Sequence, residues 1–275
     1  MTQDQQPKTH IHVGVGGWTY EPWRETFYPS DLPKARELEY ASRKLSSIEI
    51  NGTYYSLQKA ATFAKWRDET PEDFVFSLKA TRYATNRRVL AEAGDSISRF
   101  VDSGIEELGR KLGPVVWQFA PTKKFDASDF EAFLALLPAK AGSRPLRHVM
   151  DVRHESFRGP QYLALARKYR VATVFTDSDD YPSFADITGD LLYARLMRTQ
   201  SHLETGYEPQ ALDAIAHCAH AWCRGEEPRD LPRVEPAREP QAPRDVFIYF
   251  ISGAKERAPG AAQALIARLV QVGAS

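Results

Sequence analysis

Short apolar runs and longer amphipathic stretches alternate along this chain. Runs rich in β-branched and aromatic residues at 10–18, 46–54, 74–80, 114–119, 148–154, 171–176, 191–197 and 245–252 predict eight strands. Between them, apolar positions recur at helical spacing over 35–45, 62–68, 96–112, 128–137, 161–170, a short stretch near 182–187, and 211–224, and a last helix at 261–272 closes the series. In 96–112 the stripe is Ile97, Phe100, Val101, Ile105, Leu108 and Leu112, with Asp95 placed to cap its start and Gly113 just past its end. In 128–137, Ser128 and Glu131 stand at capping-box spacing ahead of a face made by Phe130, Phe133, Leu134 and Leu137. Eight strands in strict alternation with helices predict a single-domain (β/α)8 TIM-type barrel over 10–275, after a polar tail at 1–9.

One segment breaks the rhythm. Residues 225–244, GEEPRDLPRVEPAREPQAPR, join the seventh helix to the eighth strand with five prolines and nearly balanced charge, and composition reads them as a solvated loop. In a barrel this loop leaves from the N-terminal end, opposite the face where chemistry sits.

Strand parity then selects candidate chemistry, because alternate residues face alternate sides. Ile48 and Ile50 share the outer face of the second strand, which turns Glu49 and Asn51 inward; Phe74, Phe76 and Leu78 do the same for Ser77 and Lys79. Gln118 ends the fourth strand, Asp151 and Arg153 the fifth, Asp177 follows the sixth, and Tyr193 and Arg195 share a face of the seventh. On the first strand, His12, Gly14, Gly16 and Trp18 share one side, the glycines leaving room inside. The mouth is thus expected to set Glu49, Asp151 and Asp177 against Lys79, Arg153 and Arg195, with Asn51, Gln118 and His154 near them. Such a set either is an ion-pair network that fixes the barrel or does proton chemistry.

Composition removes several classes of partner. Lys plus Arg equals Asp plus Glu at 36 each, so no bulk field draws the chain to nucleic acid or an anionic membrane. No apolar run is long enough to span a bilayer, and MTQDQQPKTH lacks a signal-peptide core, so a cytoplasmic protein is expected. Cys218 and Cys223, in one predicted helix with His217 and His220, read as reduced thiols in a structural role rather than as a zinc site.

Two chemistries fit the inward set. In the first, Glu49 or Asp151 moves a proton while Lys79 or Arg195 stabilises developing negative charge. In the second, a divalent metal sits on Glu49, Asp151 and His154, although no cofactor is evident in the sequence. A Schiff base on Lys79 ranks below both, because acidic neighbours are expected to raise its pKa. Around the mouth, Trp18, Tyr20, Trp23, Tyr54, Tyr55 and Tyr83 mingle with Arg82, Arg87, Arg88 and Lys255, a rim suited to a phosphorylated or sugar-like small molecule, a nucleotide or a single nucleic-acid strand.

Six stretches carry a resemblance: GVGGWTYEPWRETFYP (14–29), SIEINGTYYSL (47–57), WRDETPEDFVFSLKA (66–80), LGPVVWQFAP (112–121), DVRHESF (151–157) and YARL (193–196). In order and over most of the chain, they resemble the motifs of the domain of unknown function 72 family, also called YecE-like. The resemblance implies a TIM-type barrel and a soluble bacterial-type protein, and implies no reaction. Departures from the family pattern fall at the mouth. Asn86 follows Thr85 where the pattern has Thr-His, Met197 and Arg198 replace His-Gly after Arg195 and Leu196, and Ile251 and Ser252 replace Asn-Asn after Phe250. Asp151 is one methylene shorter than the pattern's Glu.

Overall fold

The computed structural model describes residues 10–272; the polar tail at 1–9 lies outside the described residues. Eight parallel strands close into a barrel: Ile11–Gly16 (β1), Ser47–Ile50 (β2), Val75–Lys79 (β3), Leu112–Gln118 (β4), His148–Asp151 (β5), Ala172–Thr176 (β6), Leu191–Leu196 (β7) and Asp245–Phe250 (β8). Each pairs with its sequence neighbours, and β1 pairs with β8 from Ile11↔Val246 to Val15↔Phe250. The predicted barrel is therefore the observed one. Several predicted strands run on too far, because the chain turns as soon as it leaves the sheet. The β2 run ends at Ile50 and single helical turns follow β2 at Gly52–Tyr55 and β3 at Arg82–Thr85.

The longer helices are Glu37–Ser42 (α1), Ala60–Asp68 (α2), Gly94–Val101 (α3), Ala127–Ala135 (α4), Pro160–Lys168 (α5), Pro209–Cys223 (α6) and Ala258–Val272 (α7). Three local expectations need correction. The stretch 96–112 is not one helix: α3 ends at Val101, Gly104 at φ 105° leads into a 3-10 stretch, Ile105–Lys111, that carries Ile105 and Leu108, and Leu112 opens β4. Asp95 lies inside the first turn of α3 and caps nothing, and Gly113 belongs to β4. The cap of α4 is Asp126, whose carboxylate accepts from the Asp129 N–H, so Ser128 and Glu131 form no capping box.

No helix forms near 182–187. Phe184, Ala185 and Ile187 are buried in irregular backbone, and the proline-rich connection packs against them. The Ala185 N–H donates to the Pro232 carbonyl at 2.8 Å, and the Asp186 carboxylate accepts the N–H groups of Val234 and Glu235 at 2.9 Å each. Within the connection, Glu227 is buried and bonded to both Arg233 and Arg238. The segment is an irregular loop with exposed residues such as Arg229, Asp230, Glu239 and Gln241, as composition reads it, but it is also pinned to the fold by polar bonds that composition alone does not reveal.

The barrel interior is layered. His12 stacks on Phe247 low in the barrel, with ring centroids 4.8 Å apart, and Tyr193 and Tyr249 follow above. The Tyr249 hydroxyl lies 2.6 Å from the hydroxyls of both Ser47 and Ser77. At Gly14 the first two strands come so close that a Cβ would stand 1.8 Å from the Ser47 carbonyl oxygen. Among the described residues no helix is long and apolar enough to cross a membrane.

Candidate active site at the barrel mouth

Above these layers, at the C-terminal ends of the strands, the charged side chains meet as parity predicts. Arg195 is the centre. Fully buried, it reaches Glu49 Oε1 at 3.0 Å through Nη2, and Asp151 Oδ2 at 2.5 Å and Gln118 Oε1 at 3.0 Å through Nη1. The second Glu49 oxygen accepts from the Tyr193 hydroxyl at 2.8 Å. Arg153 donates to Asp151 Oδ2 at 3.0 Å and to Gln118 Oε1 at 2.9 Å, and lies 4.4 Å from the centroid of the Tyr181 ring. Both carboxylates are therefore committed to guanidinium groups.

Lys79 differs from its neighbours. Only 8% exposed, it makes no ion pair among the described residues, and its ammonium sits over the Tyr54 ring at 4.2 Å. Burial, aided by the nearby Arg195 charge, pulls its pKa from 10.5 down to about 8, against the opposing effect of Glu49 and Asp151. The acids do act in the expected direction, but the net shift is downward, because desolvation of the buried amine, with the charges of Arg195 and Arg153, outweighs them.

Two expected members are absent from the cluster. Asp177 turns away: its carboxylate accepts from the Met197 N–H and the Tyr207 hydroxyl, each at 2.6 Å, and burial raises its pKa. His154 caps the single 3-10 turn Glu155–Phe157, its Nδ1 lying 2.8 Å from the Ser156 hydroxyl. Glu49, Asp151 and His154 thus do not converge as metal ligands, and no group of three or more His, Cys, Asp or Glu side chains does so among the described residues. With Asp177 gone, three cations face two carboxylates, which leaves the mouth with an excess of positive charge carried by Lys79.

The rim offers space for a ligand. A cavity of about 260 Å³ at the ends of β1 and β2 is lined by Trp18, Tyr20, Asn51, Gln58, Trp66 and Lys255. Trp18 meets Trp66 edge to face at 5.2 Å, and Asn51 packs over Gly16, where a Cβ would come within 2.7 Å of its Nδ2. A wider cleft of about 660 Å³ follows β3, lined by Arg82, Tyr83, Asn86, Arg87, Ser96 and Arg99. Tyr55 and Tyr83 stand exposed beside Arg82, whose guanidinium carbon lies 5.6 and 5.5 Å from their ring centroids. Sequence reasoning missed Tyr181 and Tyr249 here; parity along β8 could have found Tyr249, while Tyr181 lies on a loop with no periodic signal.

Fold and site together define a TIM barrel with a charged, aromatic-rimmed mouth. Residues 12–274 match the family described as "Protein of unknown function DUF72", and the chain belongs to that family. Similar relatives include the UPF0759 protein YunF of Bacillus subtilis, 27% identical over 55% of this chain and 54% of the relative. Another is the UPF0759 protein YecE of Escherichia coli K12, 24% identical over 54% of this chain and 50% of the relative. The chain matches these curated relatives over about half their length. Among solved structures, a DUF72 family protein from Thermotoga maritima superposes with a TM-score of 0.70 at 20% identity, covering 97% of this chain and 100% of that one. A second, from Enterococcus faecalis, gives 0.68 at 15% identity over 94% and 95%. These likenesses concern the fold.

Proposed function

We propose that the mouth binds a small anionic ligand and moves a proton on it, with Lys79 as the proton-exchanging group. The observation that carries this is the Lys79 amine: buried, without an ion pair among the described residues, and brought to about 8, where both protonation states are accessible near neutral pH. Glu49 and Asp151, candidates for that role from sequence, instead hold Arg195 and Arg153 in place. In the forward step the neutral amine accepts a proton from a C–H or O–H beside a carbonyl or phosphate group. Negative charge then builds on the ligand oxygen, next to Arg153, whose side chain retains 12% exposure, and the ammonium returns the proton to the product. With Lys79 protonated, its form below about pH 8, the mouth is net positive and favours phosphorylated or carboxylated sugar-like ligands, whose proton the neutral form of the amine then takes. Because the candidate metal ligands do not converge, this reading needs no metal.

Pyridoxal phosphate is the test, since it carries an aldehyde and a phosphate. Trapping with borohydride followed by peptide mapping is expected to find Lys79 modified ahead of the exposed Lys34 and Lys65, whose side chains are 71% and 66% accessible. Modification in proportion to exposure would remove the reading. A second reading rests on the cleft where Arg82, Arg87 and Arg99 adjoin exposed Tyr55 and Tyr83, an arrangement suited to a nucleotide or single nucleic-acid strand. Salt-sensitive binding of a labelled oligonucleotide, weakened in Arg87→Ala and Arg99→Ala, is its signature; binding unaffected by both variants would end it.

A further inference from the structure

We propose that the N-terminal face of the barrel, opposite the mouth, holds a site for a tetrahedral oxyanion, a phosphate group free or carried on a small molecule. A cavity of about 350 Å³ lies there, lined by Arg167 and Arg170 from the end of α5, Asp190 before β7, and Arg238, Gln241 and Arg244 from the proline-rich connection. Arg244 decides the matter. It is 4% exposed, its Nη2 donates to the Gly225 carbonyl at 3.2 Å, and its Nη1 is buried with no hydrogen-bond partner. A charged donor buried without an acceptor is costly, and native proteins rarely leave one so.

Neighbouring acids do not supply the acceptor: Asp190, exposed in the lining, makes no hydrogen bond to Arg244 among the described residues. Glu227 gives one oxygen to Arg233 at 2.8 Å and the other to Arg238 at 3.0 Å, and Glu235 is paired with Arg167 at 2.6 Å. The Asp186 carboxylate is occupied by two backbone N–H groups. Arg170 makes no ion pair among the described residues and sits at φ 54°, a left-handed conformation that is unfavourable for a non-glycine residue. Arg244, with its unmet donor, and the exposed Arg170 thus line one cavity, facing the single exposed carboxylate of Asp190, and guanidinium forks match phosphate geometry. The C-terminus of α5 places about half a negative charge at this face, which full guanidinium charges outweigh.

The test follows the melting temperature of the full chain as inorganic phosphate is titrated against sodium chloride at matched ionic strength. A saturable rise with phosphate beyond that in chloride is expected, because a ligand that binds only the folded state stabilises it. Arg244→Met is expected to abolish the rise. Should that variant fail to fold, Arg170→Gly decides: glycine suits the left-handed backbone, so this variant is expected to melt higher in chloride while its apparent phosphate affinity falls about tenfold, the equivalent of one charge-assisted bond. Lys79→Met is expected to keep the full response, which separates this site from the mouth. A response identical to chloride would mean that water suffices for Arg244 and would overturn the proposal, as would an unchanged response in Arg170→Gly or its loss in Lys79→Met. Ribose 5-phosphate, tested alongside, distinguishes a free anion from a phosphate carried on a small molecule by the lower half-saturation.

Discussion

Replacing Lys79 with methionine should stabilise the protein, and by an amount that depends on pH in a defined direction. In the folded state the Lys79 pKa is about 8, against an ordinary value of 10.5 that serves for the unfolded chain. At about 1.4 kcal/mol per pH unit, the charged amine therefore costs the folded state about 3 kcal/mol. Below about pH 8 both states are protonated and the whole cost stands; between about 8 and 10.5 the unfolded chain holds more protons, so stability owed to this group rises with pH. Methionine removes the charge while keeping a flexible apolar stem. It gives up the cation–π contact with Tyr54, worth about 0.5–2 kcal/mol, and regains part of that as a sulfur–aromatic contact. Lys79→Met is thus expected to be more stable than the parent by about 1–3 kcal/mol at pH 6.5, with the difference shrinking toward zero or reversing by pH 10. Urea unfolding of both proteins at pH 6.5, 7.5, 9 and 10 measures it. A difference that stays constant over that range, or a variant less stable at pH 6.5, would show that the amine is not strained by burial and would withdraw it as the proton-exchanging group.

Three further outcomes follow from the interior. Arg195→Met leaves the buried Glu49 carboxylate without an ion pair and Asp151 with Arg153 alone, and urea unfolding at pH 7 should show a loss of about 3–5 kcal/mol, the range for breaking a buried pair from one side. Tyr249→Phe removes the hydroxyl shared by Ser47 and Ser77 and should cost about 1–3 kcal/mol by thermal unfolding, since the Ser77 hydroxyl loses its partner; a neutral result would mean that water replaces it. Gly14→Ala forces β1 and β2 apart and should give no cooperative unfolding transition; a variant with parental circular dichroism and melting would contradict the close approach at Ser47.

Much of this site is legible in sequence because a closed sheet leaves each strand residue two directions only. Once Ile48 and Ile50 face the helices, Glu49 has nowhere to point but inward, and the same holds for Lys79, Asp151 and Arg195. Past the last strand residue that constraint ends. Asp177 lies one residue beyond β6 and is drawn off by the Met197 N–H and the Tyr207 hydroxyl, thirty residues downstream in the latter case. His154 is lost in the same way, to Ser156. Charge shows a different limit. Sequence names the acids near Lys79 but not how deeply the amine is buried or how close Arg195 comes, and burial, ahead of that charge, sets the sign of the shift. In the proline-rich connection, composition signals solvent exposure, which many of its residues keep, while the bonds that pin it run to Ala185 and Asp186, far away along the chain.

The pairing of β1 with β8 also has a consequence for how the chain is made. Residues 11–15 wait for partners at 246–250, so a ribosome must deliver nearly the whole barrel before its sheet can close. Until then the edge of β1 is bare, and its ladder of N–H and C=O groups is open to strands from other chains. Glu49 and Asp151 likewise emerge before the arginine at 195 that binds them together. Closure, and with it the buried charge cluster, belongs to the last stage of synthesis, when a late stall or a truncation beyond β7 would leave a nearly finished chain with its charges in place and its ring unsealed.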